Sequence, residues 1–136
     1  MIDLVRQKRL IEEHYATFWS DAPDETLAAQ FAPDFVDHAM PAGTPSGPGP
    51  VLAWRKAMRA AFPDMQVTVA DAVAEGDRVA VRAVWRGTHQ GPFQGLAATG
   101  RIVTFEGMVF WRLKNGQLAE RWAVIDLAAV LRQLQS

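Results

Sequence analysis

Up to residue 62 the apolar positions recur at the spacing of helix turns, and from residue 65 onward apolar and polar positions alternate with a period of two. That change divides the chain into a helical first half and a stranded second half. Residues 3–19 predict a helix whose buried stripe is Ile11, His14 or Tyr15, and Phe18, with Tyr15 turned inward. Residues 20–23 interrupt it. Asp24 is placed to cap a second short helix anchored by Leu27 and Phe31, and Pro33 is expected to end that helix. Residues 35–39 suit a short strand. A further helix is expected over 51–62, with Trp54, Met58 and Ala61 or Phe62 on one face and Pro63 as its stop.

The stranded half reads as 66–74, 78–89 and 101–113, then a fourth strand after Asn115-Gly116. In the second of these, Val79, Val81, Ala83, Trp85, Gly87 and His89 share the inner face, and Arg78, Arg82 and Arg86 the other. In the third, Val103, Phe105, Gly107, Val109 and Trp111 face in, and Glu106 and Arg112 face out. Asn115-Gly116 predicts a two-residue turn, because both residues tolerate positive φ. That turn predicts the pairs Trp111–Glu120, Val109–Trp122 and Phe105–Asp126, with Trp122 and Asp126 inside and Arg112 and Arg121 outside. Helices followed by consecutive strands give an α+β fold, with helices across one face of a curved antiparallel sheet. Such a cone is a natural small-molecule pocket. Residues 41–50, rich in proline and glycine, are read as a lid or entrance loop, or as a passive connector.

Length and charge narrow the function classes. A chain of 136 residues with 49% hydrophobic content fits one soluble domain over 1–136. A formal net charge of −1 gives no electrostatic reason to expect nucleic acid or an anionic membrane as partner. The absence of cysteine excludes disulfides, thiolate catalysis and cysteine-ligated metals. With no signal-like apolar run and no membrane-length segment, a cytoplasmic location is expected.

Asp126 carries the first candidate chemistry, and it has two readings. Leu127, Val130, Leu131 and Leu134 follow it at helical spacing, so it suits a helix N-cap. On an inner face beside Trp122 and Val124 it would be partly desolvated, which raises a carboxyl's pKa and suits a general acid or base. His38, with Asp37 beside it, follows the short strand. One of the two should face the cavity, and His38 is the second catalytic candidate, as base or hydrogen-bond donor; otherwise it is a surface histidine. His89 is inward by parity and serves either the site or the backbone at its strand end. Tyr15 is an oxyanion donor or a core tyrosine. The aromatic lining is expected from Trp54, Trp85, Phe93, Phe105 and Trp122. His38, His89 and Asp126 have no ligand spacing, so no metal site is expected.

Several stretches taken together resemble the SnoaL-like polyketide (ester) cyclase family of the nuclear-transport-factor-2-like (NTF2-like) superfamily. They are A-F-P-D-M from Ala61, A-E-G-D-R-V-A-V-R from Ala74, G-T-H-Q-G-P-F-Q-G-L-A-A-T-G-R from Gly87, V-T-F-E-G from Val103, N-G-Q-L-A-E-R-W from Asn115, and the acid Asp126. The resemblance implies a cone-shaped, cystatin-like α+β barrel, and a homodimer formed through the outer sheet face. It implies an intramolecular aldol cyclisation of a hydrophobic carbonyl compound, with no metal or organic cofactor and with Asp126 as general acid/base. Arg121 stands where many relatives have histidine. Two other readings stand beside the cyclase: a non-catalytic binder of small molecules, and an interaction module with an occluded cone. A ketosteroid-isomerase-like reaction is the next enzyme reading. An epoxide hydrolase needs two acids bridged by an inward arginine, and the expected outward Arg121 argues against it.

Overall fold

A computed structural model describes residues 3–136. Helix α1 (Leu4–Phe18) is capped by Asp3, whose carboxylate accepts a hydrogen bond from Arg6 N at 3.1 Å. Both His14 and Tyr15 lie on its buried side, with Ile11 and Phe18. Helix α2 (Asp24–Ala28) differs from expectation. Pro23 occupies its cap position, and Asp24 is its first residue. The chain is extended from Phe31, so Pro33 lies inside strand β1 (Phe31–Asp37) rather than ending a helix. Proline is tolerated there because β1 is an edge strand.

Helix α3 (Gly49–Ala61) begins two residues earlier than expected, with Pro50 in its first turn, where a missing N–H costs nothing. Its Arg55 is buried and donates from Nε to the Phe18 carbonyl and from Nη2 to the Ser20 carbonyl at 2.5 Å. A cation there satisfies carbonyls left free at the end of α1. Strands β2 (Gln66–Glu75), β3 (Arg78–Thr88), β4 (Ile102–Lys114) and β5 (Gln117–Ile125) form an antiparallel meander, and β1 joins it parallel to β5. The order is β1-β5-β4-β3-β2. A bulge between Val69 and Asp71 bends β2, and α1 lies across β2 and β3. The core fills the concave side, where Trp85 stacks on Phe105 at 5.6 Å. Among the described residues no helix is long and apolar enough to cross a membrane.

The turn at Asn115-Gly116 has the expected two residues, both at positive φ, with Lys114 opposite Gln117. The register beyond it does not hold. Leu113 pairs with Leu118, but Arg112 pairs with Glu120, so Ala119 is an extra residue. Leu118 and Ala119 are both buried, and Leu118 N donates to the Gln30 carbonyl at 2.9 Å. Docking of β1 alongside thus fixes the bulge from outside the hairpin. One extra residue exchanges the two faces of a strand. Trp111 therefore faces Arg121, and Phe110 faces Trp122. None of the pairs Trp111–Glu120, Val109–Trp122 or Phe105–Asp126 forms.

Helix α4 (Leu127–Gln135) closes the free edge of β4 beyond the end of β5. Its Gln133 carboxamide accepts from Thr104 N at 3.0 Å and donates to Thr104 O at 2.8 Å, as a neighbouring strand would.

Candidate functional site

The bulge at Ala119 sets the chemistry of the cone, because it turns Arg121 inward. Asp37 and Arg121 are register partners on the adjacent parallel strands β1 and β5, so they share a face. Arg121 Nη1 donates to Asp37 Oδ1 at 3.2 Å and to Oδ2 at 3.0 Å. The side chains are 9% and 5% exposed, so the pair is nearly enclosed. Ala39 N donates to Asp37 Oδ1 at 2.9 Å, and the Arg121 guanidinium sits 5.6 Å over the Trp111 ring.

Two spaces meet at Arg121. The outer one is a mouth cleft of about 440 Å³, walled by Met40, Pro41, Ala123, Ile125 and Leu127 around Asp37, Trp54 and Arg121. Asp37 and Arg121 are the ionisable side chains on that wall. The inner one is a chamber of about 20 Å³ bounded by His14, Tyr15, Trp54, Trp85, Trp111 and Arg121, among others. Trp54 and Arg121 border both, so they form the neck between them. The 41–50 loop supplies Pro41 to the cleft.

The chamber's polar groups are held in defined states. The Tyr15 hydroxyl accepts from Trp111 Nε1 at 3.2 Å, and its pKa is pushed up to about 12, burial being the largest cause. It therefore stays a donor at any ordinary pH. His14 Nδ1 lies 2.9 Å from Gln30 Oε1. Burial lowers the His14 pKa to about 4 against the partly opposing effect of that hydrogen bond, so the imidazole is neutral at pH 7.

Of the expected site residues, Tyr15, Trp54 and Trp85 line these spaces. Phe105 lies behind Trp85, and Phe93 packs on Phe62 at 5.4 Å; both are core walls. His89 is fully buried, with Nδ1 accepting from Thr99 N at 3.2 Å and its ring 5.5 Å from Phe62, away from the cleft. Trp122 is on the outer face, contrary to expectation. His38 is there too: its ring stacks on Trp122 at 4.9 Å and its Nε2 lies 2.8 Å from Glu120 Oε2. Of the two neighbours Asp37 and His38, it is Asp37 that turns in. Strand alternation requires the other to turn out.

Asp126 is not on the inner face opposite Phe105. Its backbone N donates to the Glu106 carbonyl at 3.0 Å, and its carboxylate caps α4 by accepting from Ala129 N at 3.0 Å. The side chain is half exposed at the rim of the cleft, between the wall residues Ile125 and Leu127, with Arg132 Nη2 at 3.7 Å. Arg121 was expected to point outward and instead lies within, while Arg112 does face out and pairs with Glu120 at 2.5 Å. Among the described residues Asp37 is the one carboxylate on the cleft wall, so a second acid of the kind an arginine-bridged epoxide hydrolase requires is not among the residues described there.

The sequence profile of the SnoaL-like polyketide cyclases matches residues 9–134. Among curated proteins none matches this chain. Among solved structures, IdmH of Streptomyces antibioticus, a candidate polyketide cyclase, is 36% identical over 96% of this chain and 99% of its own, with a TM-score of 0.84. AclR of Streptomyces galilaeus, a candidate hydroxylase, is 28% identical over 98% of this chain and 83% of its own, with a TM-score of 0.85. A candidate SnoaL-like cyclase from Jannaschia sp. CCS1, at 23% identity, covers all of this chain and 96% of its own with a TM-score of 0.85, and so shares the fold.

Proposed function

Since the chain belongs to the SnoaL-like polyketide cyclase family and has its NTF2-like α+β fold, we propose that it is an enzyme moving a proton on a hydrophobic carbonyl compound held in the mouth cleft. The family's cyclisation type, an intramolecular aldol closure, is the preferred reaction. The observation that carries this is the Asp37–Arg121 pair, the ionised acid and base of an otherwise mostly apolar wall.

In this reading Asp37 takes the proton α to the carbonyl. Arg121 holds the developing enolate oxygen with N–H groups not spent on Asp37, and the Tyr15 hydroxyl supports it from the chamber side. The flat face of Trp54 positions the ring system at the neck. Asp126 caps α4 and stands at the rim, where it serves entry rather than the proton transfer. No resident metal or organic cofactor is invoked. A carboxylate is a weak base toward a C–H bond, so the substrate is one with an acidified α-position, such as a β-dicarbonyl or a ketone conjugated to an aromatic ring.

The test is solvent exchange. 2-Tetralone, a bicyclic enolisable ketone, is incubated with the protein in D2O and its α-proton signals are followed by NMR. Acceleration by the wild type that drops roughly 10²–10⁴-fold in Asp37→Asn supports the reading. No acceleration by the wild type sinks it. Loss of exchange in Asp126→Asn with retention in Asp37→Asn moves the acid role to Asp126.

A further inference from the structure

Arg121 is the middle member of a row that crosses three strands. Asp37 is its register partner on β1, and Trp111 is its register partner on β4. Both neighbours hold the guanidinium, by different means. Asp37 takes the single nitrogen Nη1 through both carboxylate oxygens. On the other side the guanidinium carbon lies over the Trp111 ring, 5.6 Å from its centroid, and indole is the aromatic face that attracts a cation best. A hold through one nitrogen fixes that nitrogen and leaves the guanidinium plane free to tilt about it. The indole face opposes that tilt. The indole is itself anchored. It is buried, its Nε1–H donates to the Tyr15 hydroxyl at 3.2 Å, and the His14 and Phe35 ring centroids lie 5.1 and 6.5 Å from its own. Arg121 and Tyr15 are therefore both tied to one side chain.

We propose that Trp111 is a positioning residue: its face sets the direction of the Arg121 N–H groups that Asp37 leaves unused, and its N–H fixes the Tyr15 oxygen. The inference rests on the reading of Arg121 and Tyr15 as donors to an enolate oxygen. A donor stabilises that oxygen best when it is aimed before the charge develops. Trp111 acts through Arg121 rather than on the substrate. Weakening its hold therefore slows the bound complex and leaves the affinity for the neutral ketone unchanged. Packing around Trp111 depends on the shape of the indole. Its hold on a cation depends also on the negative potential of the ring face, which can be altered separately.

Trifluorotryptophan introduced at position 111 by nonsense suppression keeps the flat ring and the N–H of indole and draws electron density from its face. With 2-tetralone, kcat for α-proton exchange should fall roughly fivefold at unchanged KM. The Arg121 Nε–H order parameter, read by nitrogen relaxation NMR, should be about 0.85 in the wild type, the level of rigid backbone. It should drop clearly in the fluorinated protein. Trp111→Phe keeps a weaker ring face and should lower both quantities as well. An Arg121 side chain that is mobile in the wild type overturns the proposal, and that measurement needs no variant to fold. So does an Arg121 as ordered in the fluorinated protein as in the wild type, whatever the rate does. A loosened Arg121 with kcat unchanged, or with the loss confined to KM, overturns it too. The relaxation measurement needs no turnover. A rigid, fluorination-sensitive Arg121 in a wild type that does not accelerate exchange therefore sinks the catalytic reading and leaves Trp111 as the residue that orients Arg121.

Discussion

Arg121 reaches Asp37 with a single guanidinium nitrogen, Nη1, which lies 3.2 and 3.0 Å from the two carboxylate oxygens across the parallel β1–β5 seam. The rest of the guanidinium is left to face the cone. That arrangement fixes an ionised acid and a directed cation at the junction of cleft and chamber. It exists because Ala119 is an extra residue in β5.

The pair should behave as a coupled unit in stability. Asp37→Ala leaves a largely buried guanidinium without its counter-charge. Water in the adjacent cleft relieves part of that penalty, so a loss of about 2 kcal/mol is expected rather than the upper figure for a sealed pair. Asp37→Ala combined with Arg121→Met removes both charges and should recover most of it. A double-mutant cycle by urea unfolding checks this, and additive losses would show that the two side chains do not interact.

The neutral state of His14 makes stability depend on pH. Its pKa is lowered from 6.5 to about 4 in the folded chain, so between those values the unfolded chain binds the extra proton. Stability is therefore full above pH 6.5 and falls as pH drops toward 4. The imidazole contributes on the order of 3 kcal/mol to that fall at its limit. Unfolding free energies measured from pH 4 to 7.5 should show the slope, and His14→Phe should flatten it. An unchanged slope in that variant would place the acid sensitivity elsewhere.

Most of the fold is legible in the pattern of residues, and the candidate site is legible in part. The parity of β3 puts Trp85 and His89 inside without ambiguity, and the Asn115-Gly116 turn forms as its φ preferences demand. Tyr15 and Trp54 follow from helical spacing. What alternation cannot reveal is a bulge. Ala119 looks like any strand residue, yet it exchanges Arg121 for Trp122 on the inner face. It is held by a hydrogen bond from Leu118 to Gln30, a contact 88 positions away. Asp37 was in view as the neighbour of His38, and the alternative between the two is decided only by how β1 docks. The buried acid–arginine pair was missed because its two halves come from strands that meet by tertiary pairing. The signal available was an arginine inside an otherwise apolar strand end, next to a strand ending in Asp-His.

Thr104 should report on the closure of the β4 edge by α4. Gln133 gives its backbone both of the hydrogen bonds a strand would. Gln133→Leu keeps the bulk and removes both, exposing an open strand edge. A loss of roughly 1–2 kcal/mol is expected, with faster amide exchange at Thr104 by NMR. Unaltered exchange there would mean that the packing of Val130 and Leu134 holds the edge without the carboxamide.

The outer sheet face carries a strip in which Phe110 lies opposite Trp122 and Met108 opposite Val124. Phe110, Met108 and Val124 are 51%, 52% and 79% exposed. It is bordered by charges of both signs, Arg82 with Glu106 and Arg112 with Glu120. A two-fold contact sets such a strip against itself and exchanges opposite charges across it, so we propose a second copy of this chain as its occupant. Light scattering should give a dimer mass for the wild type. Met108→Glu/Phe110→Glu, which confronts like charges across the axis, should give a monomer. A monomeric wild type would sink the proposal.

Asp126 can be separated into cap and acid by two substitutions. Its carboxylate oxygen accepts from Ala129 N, and an asparagine amide oxygen in the same place can accept that bond equally well. Asp126→Asn should then leave the thermal midpoint close to that of the wild type, while Asp126→Ala should cost about 1 kcal/mol and fray α4. If Asp37 carries the proton, both variants should keep the 2-tetralone exchange rate once they are folded. Loss of exchange in Asp126→Asn, at unchanged stability, would show that the rim carboxylate swings in over Ile125 and does the chemistry itself. A large loss of stability in Asp126→Asn would instead mean that its charge matters to the fold. The nearest cation, Arg132 at 3.7 Å, would then be the partner to remove next.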